Sequence, residues 1–190
     1  MPPKAKFEKN ELVSAALEIA ERDGIEMLTA RELGKALGSS ARPIFTVFAG
    51  MDEVKLEVIA AAQALYAEYV EKGLECEPAF KGVGTMYIKF AAEHPRLFRL
   101  LFMNDERHVT DISSALGEID GSAEKILKSI TDGYGFAEDV ARKLYLHMWI
   151  YTHGIASLTA TGVCAFTKGE ISEMLTDVCA PLIKKYKTGV

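Results

Sequence analysis

Apolar residues in this chain recur three and four apart almost from end to end, and no run alternates with period two over the length of a strand. A half-buried strand needs that alternation, so the pattern excludes a sheet and predicts an all-α fold, each helix turning one face to a core. In NELVSAALEIAERDG, Leu12, Val13, Ala16, Leu17 and Ala20 form one stripe, with Gly24 as the stop. TARELGKALG opens on Thr29 with Glu32 three residues later, a capping-box spacing, and closes at Gly38. After a short turn, Pro43 suits only a first helical turn, which predicts a third short helix over Arg42–Phe48.

A long fourth helix is expected from Glu53 to Lys72, with Asp52 as its cap. Two helices should then divide before Pro95, because the residue preceding a proline resists helical geometry. A charged loop, NDERH, follows, then two helices between Asp111 and Thr161 broken near DGYG. A last helix begins at the Thr167–Glu170 capping box, with Ile171, Met174, Leu175, Val178 and Leu182 as its stripe. The expected division is a three-helix head, residues 1–52, joined by the long helix to a helical bundle, residues 53–190.

Leu144–Thr167 contains no charged residue and is long enough to raise the question of a membrane span. His147, Thr152, His153, Ser157, Thr159 and Thr161 argue against lipid, where each polar group would need a partner, and for a buried helix. The net charge of -5 excludes a polycation that coats nucleic acid indiscriminately. Residues 1–50 balance seven basic against seven acidic side chains, so the negative excess falls on the rest. If any part approaches phosphates it is the amino-terminal quarter. Cys76, Cys164 and Cys179 are odd in number and lack metal or disulfide spacing; Cys164 and Cys179 read as small buried residues. The opening MPPKAKFEKN has no apolar run of leader length, and a cytoplasmic location is expected.

Two short helices joined by a glycine turn and supported by a third can project one helix into a DNA major groove. Ile44 and Phe48 would pack inward, leaving Ser39, Ser40, Arg42, Pro43 and Thr46 outward. An arginine can donate in a fork to guanine, and hydroxyls can bond phosphates. The same residues equally suit a helical hairpin that only completes a core, with Arg42 solvated. Lys4, Lys6 and Lys9 read either as a basic arm or as a solvated end. GxSxG, HExxH and P-loop patterns are all missing from the sequence, and KGVGT follows no strand, so no enzyme is expected. His147 and His153, six apart, face different sides of a helix and do not suggest a metal site.

Residues 7–56, with LTARELGKALG, the aromatics Phe45 and Phe48, and MDEV, resemble the DNA-binding head of TetR-family transcriptional regulators. FAAEHPRLF and HMWIYTHGIASL, with Trp149, His153 and Gly154, resemble the ligand-binding and dimerisation domain of one branch of that family. The resemblance implies a homodimer that binds a near-palindromic double-stranded DNA operator and is released from it by a small, largely apolar effector. It implies no cofactor, no metal and no membrane. The DNA contacts it implies are Lys4, Lys6, Thr29, Arg31, Ser39, Ser40, Arg42, Pro43, Phe45 and Thr46.

The body helices of the family surround a cavity, which would draw its lining from Tyr66, Met86, Phe90, Phe98, Phe102, Met103, His147, Met148 and Tyr151. His153, Gly154, Ser157, Ile171, Leu175, Val178 and Leu182 would form the dimer interface. Phe45 stands where the family usually has a tyrosine, Met51 where it has a lysine, and Ser39 replaces a small apolar residue. Two phosphate anchors are therefore missing, which admits an alternative: a helical small-molecule binding protein with weakened or lost DNA binding.

Overall fold

The computed structural model describes residues 6–103 and 122–188. All regular structure among them is helical. We number the α-helices α1 (Lys9–Asp23), α2 (Ala30–Ala36), α3 (Met51–Leu74), α4 (Ala79–Glu93), α5 (Pro95–Phe102), α6 (Ala123–Tyr134), α7 (Glu138–Ala160) and α8 (Lys168–Thr188). Single 3-10 turns at Ile25–Met27 and Ile44–Thr46 complete the set. The NDERH segment lies outside the described residues.

The chain divides into two compact units: Met1–Leu65 with Arg96–Met103, and Tyr66–Pro95 with Asn104–Val190. The division falls within α3, between Leu65 and Tyr66, rather than at 52/53. The first unit buries Leu12, Ala16, Ile19, Leu28, Leu33, Ile44, Phe48, Val54 and Val58, together with Leu97, Phe98 and Leu101. Glu8 and Glu11 form a reciprocal capping box at the start of α1, and Thr29 Oγ1 accepts from Glu32 N at 3.2 Å to cap α2. Gly34 is needed where α2 meets its turn: a Cβ there would lie 3.0 Å from Ser40 C and 3.1 Å from Ala41 N.

The expected third helix is only a 3-10 turn, Ile44–Thr46. It closes through bonds from Ile44 N to Ala41 O at 3.1 Å, Thr46 N to Pro43 O at 3.2 Å and Val47 N to Ile44 O at 3.0 Å. Pro43 offers no amide hydrogen. Glu53 Oε2 accepts from Ala49 N at 2.7 Å, and Val54 N bonds Gly50 O at 3.4 Å, so α3 has already begun before another turn could form. Asp52 therefore lies inside the first turn of α3 instead of capping it.

The second unit is built on α4, which packs most extensively against α7 and also meets α6 and α8. Its described core includes Val70, Phe80, Val83, Tyr87, Ile88, Phe90, Ile126, Ile130, Leu144, Met148, Ile155 and Ala156. Gly135 at φ 71° takes the left-handed cap that ends α6, which is why DGYG breaks the pattern. The Thr167–Glu170 box opens α8, Glu170 N reaching Thr167 Oγ1 at 3.2 Å and Thr167 N reaching Glu170 Oε2 at 2.7 Å. These bonds hold the Glu170 carboxyl below its ordinary range. No described helix is long and apolar enough to cross a membrane.

The glycines of this unit divide by what surrounds them. A Cβ on Gly73 would sit 2.7 Å from Val83 Cα and 2.8 Å from Val83 N, so the end of α3 approaches α4 backbone to backbone. A Cβ on Gly84 would meet only Leu175 Cδ1 at 3.6 Å and Thr152 Oγ1 at 3.7 Å, ordinary contact. Gly73→Ala should cost about 1–3 kcal/mol through overpacking, whereas Gly84→Ala should gain about 0.5–1 kcal/mol from helix propensity. Denaturant unfolding of the two variants measures both; a stabilised Gly73→Ala would contradict the close approach.

Candidate functional site

Two places carry polar groups that the fold itself does not use. The first is the surface after α2. Arg31, Ser40, Arg42 and Thr46 are exposed there, Ser39 and Pro43 are half-buried, and Phe45 is 49% exposed despite its size. Arg31 and Arg42 form no ion pair among the described residues. Four other expected contacts, Lys6, Ser39, Thr46 and Thr29, are partly occupied within the unit. Lys6 Nζ donates to Ser39 Oγ at 3.1 Å, Thr46 Oγ1 donates to Pro43 O at 2.6 Å, and Thr29 serves as the α2 cap. Lys9, grouped at first with the arm, instead pairs with Glu57 at 2.7 Å and lies over the Phe48 ring. Lys4 lies outside the described residues.

The second place is a cavity of about 330 Å³ within the second unit. Tyr66 of α3, Phe80, Val83 and Tyr87 of α4, Ile126 and Tyr134 of α6, Tyr145, Met148 and Trp149 of α7, and Leu175 and Ile183 of α8 form most of its wall. Polar atoms are few: Lys81, Thr152, Thr176, Cys179 and the tyrosine hydroxyls. Tyr66 meets Tyr87 and Phe90 edge to face, with centroids 5.8 Å and 5.4 Å apart, which fixes the ring that closes the cavity at the α3 end. Burial pushes the Tyr134 and Cys179 side chains above their ordinary pKa, so both are neutral at pH 7. Cys179 is thus a protonated thiol in the cavity wall; Cys164 and Cys179 are half-buried, not fully buried as expected.

Of the residues expected to line a pocket, Tyr66 and Met148 do so. Met86, Phe90, His147 and Tyr151 do not: Phe90 is spent in the ring cluster with Tyr66, Tyr69 and His94, and His147 is exposed on the outer face of α7. Phe98, Phe102 and Met103 belong to the other unit, where the Phe98 and Phe102 rings meet at a tilt with centroids 5.1 Å apart. Aromatic content marked the region of the cavity, but helical phase decides which side chains reach it. Phe80, Tyr145, Trp149 and Thr152 were missed, although Tyr145, Met148, Trp149 and Thr152 share the three- and four-residue spacing of one helix face.

The expected interface residues also divide. Leu175 lines the cavity and is buried, so it is unavailable to a partner: α8 turns that side chain toward α4. Gly154 is exposed, and His153, Ser157, Ile171, Val178 and Leu182 are half-buried. His153 Nδ1 lies 2.9 Å from Tyr87 Oη, and its ring stacks on Trp149 with centroids 5.2 Å apart. Ile150 and Leu158, large and exposed, flank Gly154 four residues to either side.

An all-helical protein with one unit presenting arginines that form no ion pair among the described residues beside an exposed turn, and another holding a mostly apolar cavity, defines the class. Residues 80–180 match the family model described as Tetracyclin repressor-like, C-terminal domain, and the chain belongs to that family. No curated protein matches it. The matched span holds all the cavity wall except Tyr66, Pro78 and Ile183.

Burial lowers the pKa of His153 from its ordinary value. The folded state thus resists a proton that the unfolded state accepts, so stability present at neutral pH is lost as pH falls through the unfolded value of about 6.5. His153→Gln should flatten the dependence of the melting temperature between pH 7.5 and 5.5. An unchanged slope in the variant would show that other groups carry it.

Proposed function

We propose that this chain is a ligand-responsive transcriptional regulator, a repressor that binds an operator as a homodimer and leaves it when a small apolar effector fills the cavity. The observation that carries the reading is the half-open apolar cavity whose wall comes mostly from the span that matches the family. Its volume falls within the range of small-molecule sites, and its wall is apolar with few convergent polar groups. A membership in the family branch marked by Trp149, His153 and Gly154 belongs to the same proposal. No step of it requires an enzyme, a cofactor or a membrane, and a cytoplasmic location fits.

The DNA contact is assigned to Arg31, Ser39, Ser40, Arg42, Pro43, Phe45 and Thr46, with Lys4, Lys6 and the Thr29 cap at the edge. Arg42 supplies base readout, since it is exposed and unspent. Phe45 has no hydroxyl for a phosphate, and Met51 at the start of α3 has no charge for one, so nonspecific affinity should be low and its salt dependence shallow. The dimer surface is assigned to the outer faces of α7 and α8, now including Ile150 and Leu158 beside Gly154. Two copies are needed because one such head makes too few contacts for tight binding.

Coupling requires that the effector prefer one of two conformations; a differential of a few kcal/mol suffices. Helix α3 belongs to both units and contributes Tyr66 to the cavity wall, which makes it the covalent route between effector and DNA.

Selection from random duplex DNA at moderate salt should enrich a two-fold symmetric site, and Arg42→Ala should relax the preference at one position per half-site by about 1–3 kcal/mol. If the folded, dimeric protein enriches nothing, the chain is instead a helical small-molecule binding protein, and Phe45 and Met51 mark where DNA contact was lost.

A further inference from the structure

We infer that the cavity takes an apolar carboxylate, with Lys81 supplying the counter-charge and Thr152 a hydrogen bond. This rests on the reading of the cavity as the effector site and names the chemistry of what enters it.

Two independent features point to it. Thr152 lines the cavity and is only 5% exposed, and its hydroxyl has no hydrogen-bond partner among the described residues. A buried hydroxyl is ordinarily satisfied, often by the carbonyl four residues back. Thr159 and Thr161 on the same helical segment do bond that carbonyl, at 2.9 Å and 2.7 Å. Thr152 instead faces Gly84 across the cavity wall, where a Cβ would come into ordinary contact with its oxygen at 3.7 Å. An empty apolar cavity needs no such group; a ligand with a polar atom does.

Lys81 supplies the charge. Lys81 is part of the cavity wall, and its ammonium is held by Ser172 Oγ at 2.8 Å and Thr176 Oγ1 at 2.9 Å, both on α8. Those hydroxyls are neutral, and an ammonium has three donors, so one donor and the whole charge remain. No described carboxylate pairs with it. Lys81 also sits in the first turn of α4, which contains no acidic residue and where the helix adds partial positive charge of its own. Gly84 follows it by three residues, about 4.5 Å along the helix, so the cation and the free hydroxyl border the same stretch of α4.

The rest of the wall selects the body. Phe80, Tyr87, Met148 and Trp149 make most of the wall apolar and aromatic, the Tyr87 hydroxyl being engaged by His153. At about 30 Å³ per non-hydrogen atom, 330 Å³ holds a ligand of about ten such atoms. That size fits a medium-chain or aryl-alkanoic acid.

The probes are octanoate and octanamide, equal in atom count and shape and differing in charge. Trp149 is the single tryptophan and lines the cavity, so its fluorescence reports binding directly on the full-length protein. Octanoate should bind at least about tenfold more tightly than octanamide. Lys81→Met should erase that gap, with Lys81→Gln taking its place if the first variant does not fold by circular dichroism. Thr152→Val should weaken both probes several-fold. Equal affinity for the two probes in the native protein would overturn the carboxylate, and a gap that survives in the Lys81 variant would overturn its role. Gly84→Ala separates the underlying reading: it adds a methyl to the cavity and should weaken both probes. Failure of both probes to bind, or indifference of both to Gly84→Ala, would overturn the cavity as their site and the carboxylate with it.

Discussion

The packing of α4 against α7 is the constraint on which the second unit depends. It is the most extensive pairing recorded between helices among the described residues, and glycine leaves it thin at Gly84. A side chain there would close the gap to Thr152 and Leu175 at ordinary contact distance. Because glycine stands there, the helices pack through Phe80, Val83, Tyr87, Met148 and Tyr145 while a half-open cavity remains beside them. Elsewhere α4 shows what full contact requires, as where Gly73 of α3 meets it and the backbone of α4 leaves no room for a methyl. Two glycines thus serve opposite ends: one lets backbones touch, the other keeps side chains apart.

The first unit depends on a different kind of economy. Its turns are closed by short-range bonds from Ile44 to Ala41 and from Ala49 to Glu53, and its hydrophobic anchors Leu33, Ile44 and Phe48 are fully inward. The outward residues are thereby left with nothing to do for the fold. Arg31 and Arg42 form no ion pair among the described residues, and Phe45 holds apolar surface in solvent. Such surface is costly to leave exposed unless something covers it. The assignment to DNA is a proposal supported by this arrangement and by the family to which the chain belongs.

The helical class and most helix ends could be read from residues alone, because local chemistry determines them. Pro95, Gly135 and the Thr167–Glu170 box act through their own backbone and nearest neighbours, and each ends or begins a helix where expected. The third helix could not be read this way. Its length depends on how early Glu53 captures Ala49 N, a competition between two elements. The cavity wall was harder still. Phe90 and Phe98 have the same composition signal as Phe80 and Tyr145, and only the rotation of each helix sends the first pair into ring clusters or another unit and the second into the wall. Thr152 and Lys81 carried no motif at all. Their meaning lies in bonds not made, which spacing does not reveal.

If the cavity and the exposed turn are two ends of one switch, ligand and DNA must compete through the protein, and linkage makes that competition reciprocal. The decisive measurement is the affinity of octanoate for the protein alone and for the protein saturated with its selected duplex, read from Trp149 fluorescence under one salt condition. The regulator described here predicts binding at least about fivefold weaker in the DNA complex, and the same factor in DNA affinity when octanoate is saturating. Equal octanoate affinity in both states would contradict it, leaving a cavity and a DNA-binding surface that share a chain without acting on each other.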